Sequence, residues 1–223
     1  MTLAESVARV RARIDAAGGD PDRVRLLAVT KGHPIAAVTA ALDAGLLDLG
    51  ESYARELAGK ADALEGEVRW HFIGGLQRNK VRVVAPYVHL WQSVDRLSLA
   101  AEIARHAPGA ALLVQVNVSG LEHQSGCAPE RVAAVVEGCA DLGLDVRGLM
   151  AIGPRGPEAV VRAGFASVRE LADRLDLPER SMGMSGDLEA AVAEGSTMVR
   201  TEPEVPSSGS RSRSSRLAGP PAG

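Results

Sequence analysis

With 223 residues, 46% of them hydrophobic and 24% charged, the chain is long enough for one sizeable core or two small ones and too apolar for wholesale disorder. Aromatic residues make up only 3%, so a core of Ala, Val and Leu is expected, and stacking on bases or an aromatic cage is poorly provided for. Twenty-five Lys and Arg against 28 Asp and Glu leave a formal net charge of -3, which offers no global footprint for nucleic acid. Cys127 and Cys139 sit in no CxxC or His-rich cluster and read as reduced thiols of a cytoplasmic protein. The first ten residues lack an apolar h-region and do not read as a signal peptide. No stretch reaches the roughly 18 uncharged apolar residues of a membrane span.

Leu3, Val7, Val10 and Ile14 recur at helical spacing, and Gly18 and Gly19 end that helix. Leu26 to Thr30 is short and branched, hence a strand, and is followed by a polar loop and a helix from Ile35 to Ala44. Leu46 to Leu49 reads as the second strand, with a helix running on to Leu64. Trp70 to Ile73 is the third, with Trp70 and Phe72 on one face and His71 and Ile73 on the other. Val88 to Ser93 precedes a helix from Arg96 to His106. Ala111 to Val118 is the clearest strand, with Gln115 and Asn117 sharing one parity, and its helix runs from Pro129 to Leu142. Val146 to Ile152 is followed by a helix from Glu158 to Leu175, and Met182 to Met184 by a helix from Leu188 to Glu194 for which Ser185 is the expected N-cap. Ser196 to Arg200 is the eighth strand. Eight strands alternating with helices predict an α/β fold closed into a (β/α)8 TIM barrel, one domain over residues 1–200. From Thr201 to Gly223 the apolar period vanishes into Ser, Arg, Pro and Gly, and a disordered tail is expected over 201–223.

In a barrel, chemistry collects where strands deliver residues to the C-terminal face. Lys31 leaves the first strand there. It is either a solvated loop charge or an amine able to form a Schiff base with an aldehyde. Glu51 and Ser52 close the second strand, and His71 lies within the third as a structural imidazole or a ligand contact. Asn117 leaves the fifth strand. Ser185 and Gly186 precede a helix whose first N–H groups would be free for an anion. Arg200 ends the eighth strand and comes to lie beside Lys31 once the barrel closes. A mouth lysine, a helix-start serine and a last-strand arginine together suit an anionic aldehyde. No P-loop, HExxH or CxxC competes.

These residues belong to stretches that run in register along nearly the whole chain to Arg200. They include Ala28 to Lys31 (AVTK), Leu49 to Tyr53 (LGESY), Trp70 to Gly74 (WHFIG), Leu76 to Lys80 (LQRNK), Ser93 to Arg96 (SVDR) and Gln115 to Ser119 (QVNVS). Gly148 to Ile152 (GLMAI), Ser181 to Ser185 (SMGMS) and Gly195 to Arg200 (GSTMVR) continue the series. In these stretches the chain resembles the pyridoxal phosphate homeostasis protein family, single-domain relatives of the alanine racemase N-terminal barrel. The resemblance implies a monomeric cytoplasmic barrel that carries pyridoxal 5'-phosphate on Lys31 as an aldimine and serves the balance of that cofactor without robust catalysis. It further implies cofactor contacts from Ser52, His71, Asn117, Ser185, Gly186 and Arg200. Transient contact with apoenzymes that use the cofactor is the partner it admits, with no nucleic acid, membrane or metal.

Two departures bear on these expectations. Ser52 stands where the family has Asn. After Arg200 the family continues with a hydrophobic residue, Gly and Thr, and this chain has Thr201, Glu202 and Pro203. Glu202 would bring a carboxylate near a phosphate, and Pro203 has no N–H to donate. Binding through Lys31 and Ser185 is expected to survive, but more weakly than with an intact end. A weak racemase-like enzyme, a barrel that has lost the cofactor, and a frameshifted end after Arg200 stay open as alternatives.

Overall fold

Parallel strands pair in chain order, and the eighth closes on the first. The structure is a computed structural model and describes residues 2–121 and 123–202. The strands are β1 (Arg25–Val29), β2 (Asp48–Glu51), β3 (Arg69–Phe72), β4 (Val88–Val94), β5 (Ala111–Val116), β6 (Asp145–Ala151), β7 (Glu179–Ser181) and β8 (Met198–Thr201). Around them stand α1 (Leu3–Ala16), α2 (Ile35–Asp43), α3 (Ala54–Asp62), α4 (Val81–Val84), α5 (Leu97–His106), α6 (Val132–Asp141), α7 (Glu158–Arg174) and α8 (Leu188–Ala193). This is the (β/α)8 barrel the alternation predicts. The expected domain limit after Arg200 falls inside β8, and Pro203 and the stretch to 223 lie outside the described residues.

Alternate residues of each strand point to opposite sides of the sheet, and that parity splits the core in two. Leu27, Leu90, Leu113, Met150 and Met198 fill the barrel centre with Ile73. Trp70, Phe72, Leu49 and Val199 face outward under the helices. The β3 alternation expected from sequence is thus realised, with His71 and Ile73 turned inward. α1 precedes β1, is capped by Thr2 and Glu5 in a reciprocal capping box, and packs against α8. It fills the gap in the helix ring between the last and the first strand.

Several elements differ from expectation, and β5 ends at Val116 rather than Val118. β2 lies two residues later, because Gly50 and Glu51 are strand rather than turn. A Cβ on Gly50 would meet Leu27 and Ile73 side chains at 3.2 Å, so this glycine makes room in the barrel centre instead of breaking the strand. β7 lies three residues earlier, at a polar stretch. Its pairing partner β6 holds it there, Gly148 opposite Glu179, and Glu179 forms an ion pair with Arg25 across the barrel floor. The loop after β3 contains a short 3-10 turn, Arg78–Lys80, that leads into α4.

Candidate functional site

At the C-terminal mouth a cavity of about 250 Å3 opens between β1, β8 and the loop after β7. Lys31, Ser185, Gly186, Arg200 and Glu202 line its polar side, and Val29, Ile73 and Met184 its apolar side. Lys31 follows the inward parity of Leu27 and Val29, so its amine is delivered to the mouth. Its side chain is 40% exposed and its Nζ lies 3.9 Å from Glu202 Oε1.

The backbone on both sides of Lys31 is clamped by a buried ionic cluster. Lys60 Nζ donates to the carbonyl of Thr30 at 2.7 Å, to Glu51 Oε1 at 2.6 Å and to Glu56 Oε1 at 2.6 Å. Thr30 Oγ1 donates to Glu51 Oε1 at 2.7 Å, and the Gly32 N–H donates to Glu56 Oε1 at 2.7 Å. Gly32 itself has a φ of 73°, which lets the chain turn away directly after the lysine. Burial raises the Glu51 carboxyl above its ordinary range, and the hydrogen bonds from Lys60 and Thr30 offset only part of that. Its second oxygen, Oε2, is buried without a hydrogen bond among the described residues.

Arg200 points inward from β8 and is buried, 4% exposed. Nη1 donates to the carbonyl and hydroxyl of Ser181, both at 2.9 Å, and Nη2 donates to the Ala151 carbonyl at 2.7 Å. Among the described residues it makes no ion pair. Burial pushes the guanidinium down to about 10, which the more distant Asp187 carboxylate partly counters. A cation held only by neutral acceptors at a cavity wall can still receive an electron-rich ligand group.

Ser185 and Gly186 are exposed in the loop after β7. Neither backbone N–H finds an acceptor among the described residues, and Arg13 holds the Ser185 carbonyl from below at 2.9 Å while pairing with Glu189. The expectation that Ser185 caps the next helix is corrected: α8 begins at Leu188 and its N-cap position is Asp187. The free N–H groups therefore belong to the loop, and α8, with six residues, contributes little dipole of its own.

The other sequence candidates are placed elsewhere. His71 lies wholly buried in the barrel centre, between Asp48 Oδ1 at 2.9 Å and Gln92 Nε2 at 2.7 Å. Asn117 organises its own loop: its Nδ2 donates to the Leu121 and Gln124 carbonyls and its Oδ1 accepts from Ser119. Ser52 packs against Gly74, where a Cβ would meet its carbonyl at 2.4 Å. Sequence reading missed Lys60, Gln92 and Ser181. Gln92 was legible in principle as a polar residue on the parity of Leu90 in an apolar strand; Ser181, at the end of the polar β7, was not. A wider groove of about 460 Å3 between α6 and α7 carries none of the strand-end residues. Among the described residues no group of three His, Cys, Asp or Glu could hold a metal ion, and no helix is long and apolar enough to cross a membrane.

The eight-stranded parallel barrel, with Lys31 after its first strand and Arg200 in its last facing one cavity at the mouth, has the alanine racemase-like fold. An alanine racemase from Clostridium difficile superposes with a TM-score of 0.66 at 12% identity, over 89% of this chain and 55% of its own, which shows the fold. The chain belongs to the pyridoxal phosphate homeostasis protein family. It is 47% identical over 212 residues to the Pseudomonas aeruginosa member, covering 89% of this chain and 92% of that protein. PipY of Synechococcus elongatus, solved with pyridoxal phosphate bound, superposes with a TM-score of 0.75 at 34% identity, over 86% of this chain and 97% of its own. No family model matches the chain.

Proposed function

We propose that the chain binds pyridoxal 5'-phosphate in the mouth cavity, attached through Lys31, and serves the supply and balance of that cofactor without robust turnover. One observation carries the reading: a lysine amine, two free backbone N–H groups and a buried guanidinium without a carboxylate partner converge on one cavity. Pyridoxal phosphate supplies an aldehyde carbon that takes up a lysine amine with loss of water, together with a dianionic phosphate and a ring nitrogen. The residues present fit those three groups. Lys31 provides the amine, the Ser185 and Gly186 N–H groups an anion seat, and Arg200 a fixed positive charge deep in the wall. Val29, Ile73 and Met184 cover the apolar part of a ring. Glu202 is the exception, a carboxylate on the lining of a site for an anion.

Moving a proton on carbon needs an acid/base group set against the lysine. The two tyrosines stand away from the cavity lining: Tyr53 is exposed at the start of α3, and Tyr87 donates its hydroxyl to Asp62. That supports holding over turnover. The same reading makes the protein a cytoplasmic monomer of one barrel domain over 1–200 with a divergent tail over 201–223, and makes apoenzymes that use the cofactor its transient partners. Ser52, His71 and Asn117 then support the site from outside its lining.

The test is spectroscopic. The full chain mixed with pyridoxal phosphate should develop a visible absorption band that borohydride removes, leaving the reduced cofactor on the peptide that contains Lys31. A chain that takes up none, or takes it up on another lysine, overturns the reading.

Glu202 offers a second measurement. Its carboxylate repels a dianion at close range, an effect of about 1 kcal/mol at a solvated mouth. Glu202→Gly should therefore tighten binding about five- to tenfold at low salt, and the gain should shrink as salt screens the pair. Equal affinities for the two chains in a titration at low salt would place Glu202 outside the site.

A further inference from the structure

Beneath the cavity the barrel centre holds a file of polar groups that runs from the mouth to the floor. Arg200 Nη1 donates to Ser181 Oγ at 2.9 Å, and Ser181 Oγ donates to Gln92 Oε1 at 2.7 Å. Gln92 Nε2 lies 2.7 Å from His71 Nδ1, and His71 Nε2 lies 2.9 Å from Asp48 Oδ1. Asp48 is gripped from its far side by Arg69, through Nε at 3.0 Å and Nη2 at 2.7 Å. Asp48 and Arg69 are the first residues of β2 and β3, at the opposite end of the barrel from the cavity. The file thus takes one side chain from each of β8, β7, β4, β3 and β2.

Proton positions follow from the acceptors. Gln92 Oε1 accepts from Ser181, so the Nε2 end faces His71 and donates; a second Nε2 hydrogen is directed at Met198 Sδ, 3.1 Å away. His71 Nδ1 is then the acceptor, and the ring hydrogen sits on Nε2 and goes to Asp48. Burial keeps the imidazole neutral against the pull of Asp48. Burial would also raise the Asp48 carboxyl, but the bonds from His71 and Arg69 hold it well below the usual carboxylate range. Every link donates in the same direction: guanidinium, hydroxyl, amide, imidazole, carboxylate. Links aligned in this way polarise one another. Turning the Gln92 amide over would require a hydrogen on both imidazole nitrogens, and so a buried His71 cation.

The geometry points to Ser181, Gln92, His71 and Asp48 as positioning residues for Arg200. They fix the orientation of its guanidinium at the cavity wall through a chain of hydrogen bonds that ends on the Asp48–Arg69 ion pair. The inference rests on the cavity being the cofactor site, and it accounts for the polar side chains stacked behind a buried cation in the barrel centre. It also gives His71 a task that neither a ligand contact nor an isolated core imidazole describes.

Gln92→Leu cuts the file in its middle, is close in volume, and leaves the bonds from Arg200 to Ser181 and Ala151 available. Asp48→Asn is a second variant that removes the terminal charge and sets an amide N–H against a donor of Arg69 or His71. The ligand-free measurement is nitrogen NMR on the full chain, with melting curves to establish that each variant folds. Wild type should show a neutral His71 with its hydrogen on Nε2 near neutral pH, and separately resolved Arg200 guanidinium hydrogens. In Gln92→Leu those guanidinium signals should average, because the hydroxyl that receives Nη1 is no longer oriented. With pyridoxal phosphate, the same variant should bind about tenfold more weakly and show a displaced visible band, while borohydride still traps the cofactor on Lys31. A His71 hydrogen on Nδ1, or guanidinium signals and visible band unchanged in both variants, would overturn the inference. If wild type takes up no cofactor, the cofactor reading fails by itself, and the NMR arm still decides whether the file positions Arg200.

Discussion

Lys31→Ala should abolish covalent retention of pyridoxal phosphate and weaken its total binding by about a hundredfold or more, roughly 3 kcal/mol. The N–H groups of Ser185 and Gly186 and the guanidinium of Arg200 remain in this variant, so a reversible complex should persist at high cofactor concentration. It should lack the band that borohydride removes. No neighbouring lysine is placed to replace the lost amine. Lys60, the nearest in the fold, is buried and tied by Nζ to Glu51, Glu56 and the Thr30 carbonyl. The ligand-free variant should melt within about 0.5 kcal/mol of wild type, because Lys31 is half exposed and its Glu202 contact is long. The stabilisation that wild type gains from added cofactor should largely disappear. Melting curves with and without cofactor read both effects. Undiminished retention after gel filtration and borohydride would remove Lys31 from its role.

Lys60→Met should destabilise the barrel by about 3–5 kcal/mol, the usual cost of removing one partner from a buried ion pair. Glu51 is fully buried and already has one oxygen without a hydrogen bond among the described residues. Without the ammonium its other oxygen keeps only Thr30, and the Thr30 carbonyl loses its donor. Combining the change with Glu51→Gln should recover a large part of the loss, since the two sites share one interaction. Urea denaturation of the two single variants and the double variant measures the coupling, and strictly additive losses would rule the pair out as a unit. The cluster also reaches the candidate site, because Thr30 and Gly32 flank Lys31. The gentler Glu56→Gln, which weakens the anchor at the Gly32 N–H, should slow attachment of the cofactor with little change in melting.

How much of this was legible depended on where the signal lies. Strand order and closure could be read because parallel strands buried on both faces are short apolar runs, and helices punctuate them. The alternation in β3 was visible because Trp70 and Phe72 share one parity, but which parity faces the barrel centre was not. β7 is hidden in the sequence because its interior residue is Ser181 and its start is an ion-paired glutamate, while the apolar Met182 to Met184 lies next to it. Lys31 and Arg200 could be brought together on paper only by assuming the barrel closes. Lys60 could not be found that way, since a lysine on an amphipathic helix normally faces solvent, and only the acidic pair Glu51 and Glu56 draws it inside. The resemblance to a family grouped Lys31, Ser185, Gly186 and Arg200, and the structure brings all four to the lining of one cavity. It carried no information on the hydrogen bonds that run beneath them.

The pairing of β1 with β8 joins Arg25 to Met198 and Leu27 to Arg200, nearly the full span of the described chain. Contacts so distant along the sequence form late, because the loop between them must first be ordered. Lys31 follows β1 and Arg200 lies in β8, so the cavity between them exists only after the ring has shut. A ligand that needs both sides of that seam would select closed molecules over open ones, and binding would then double as a check on completed folding.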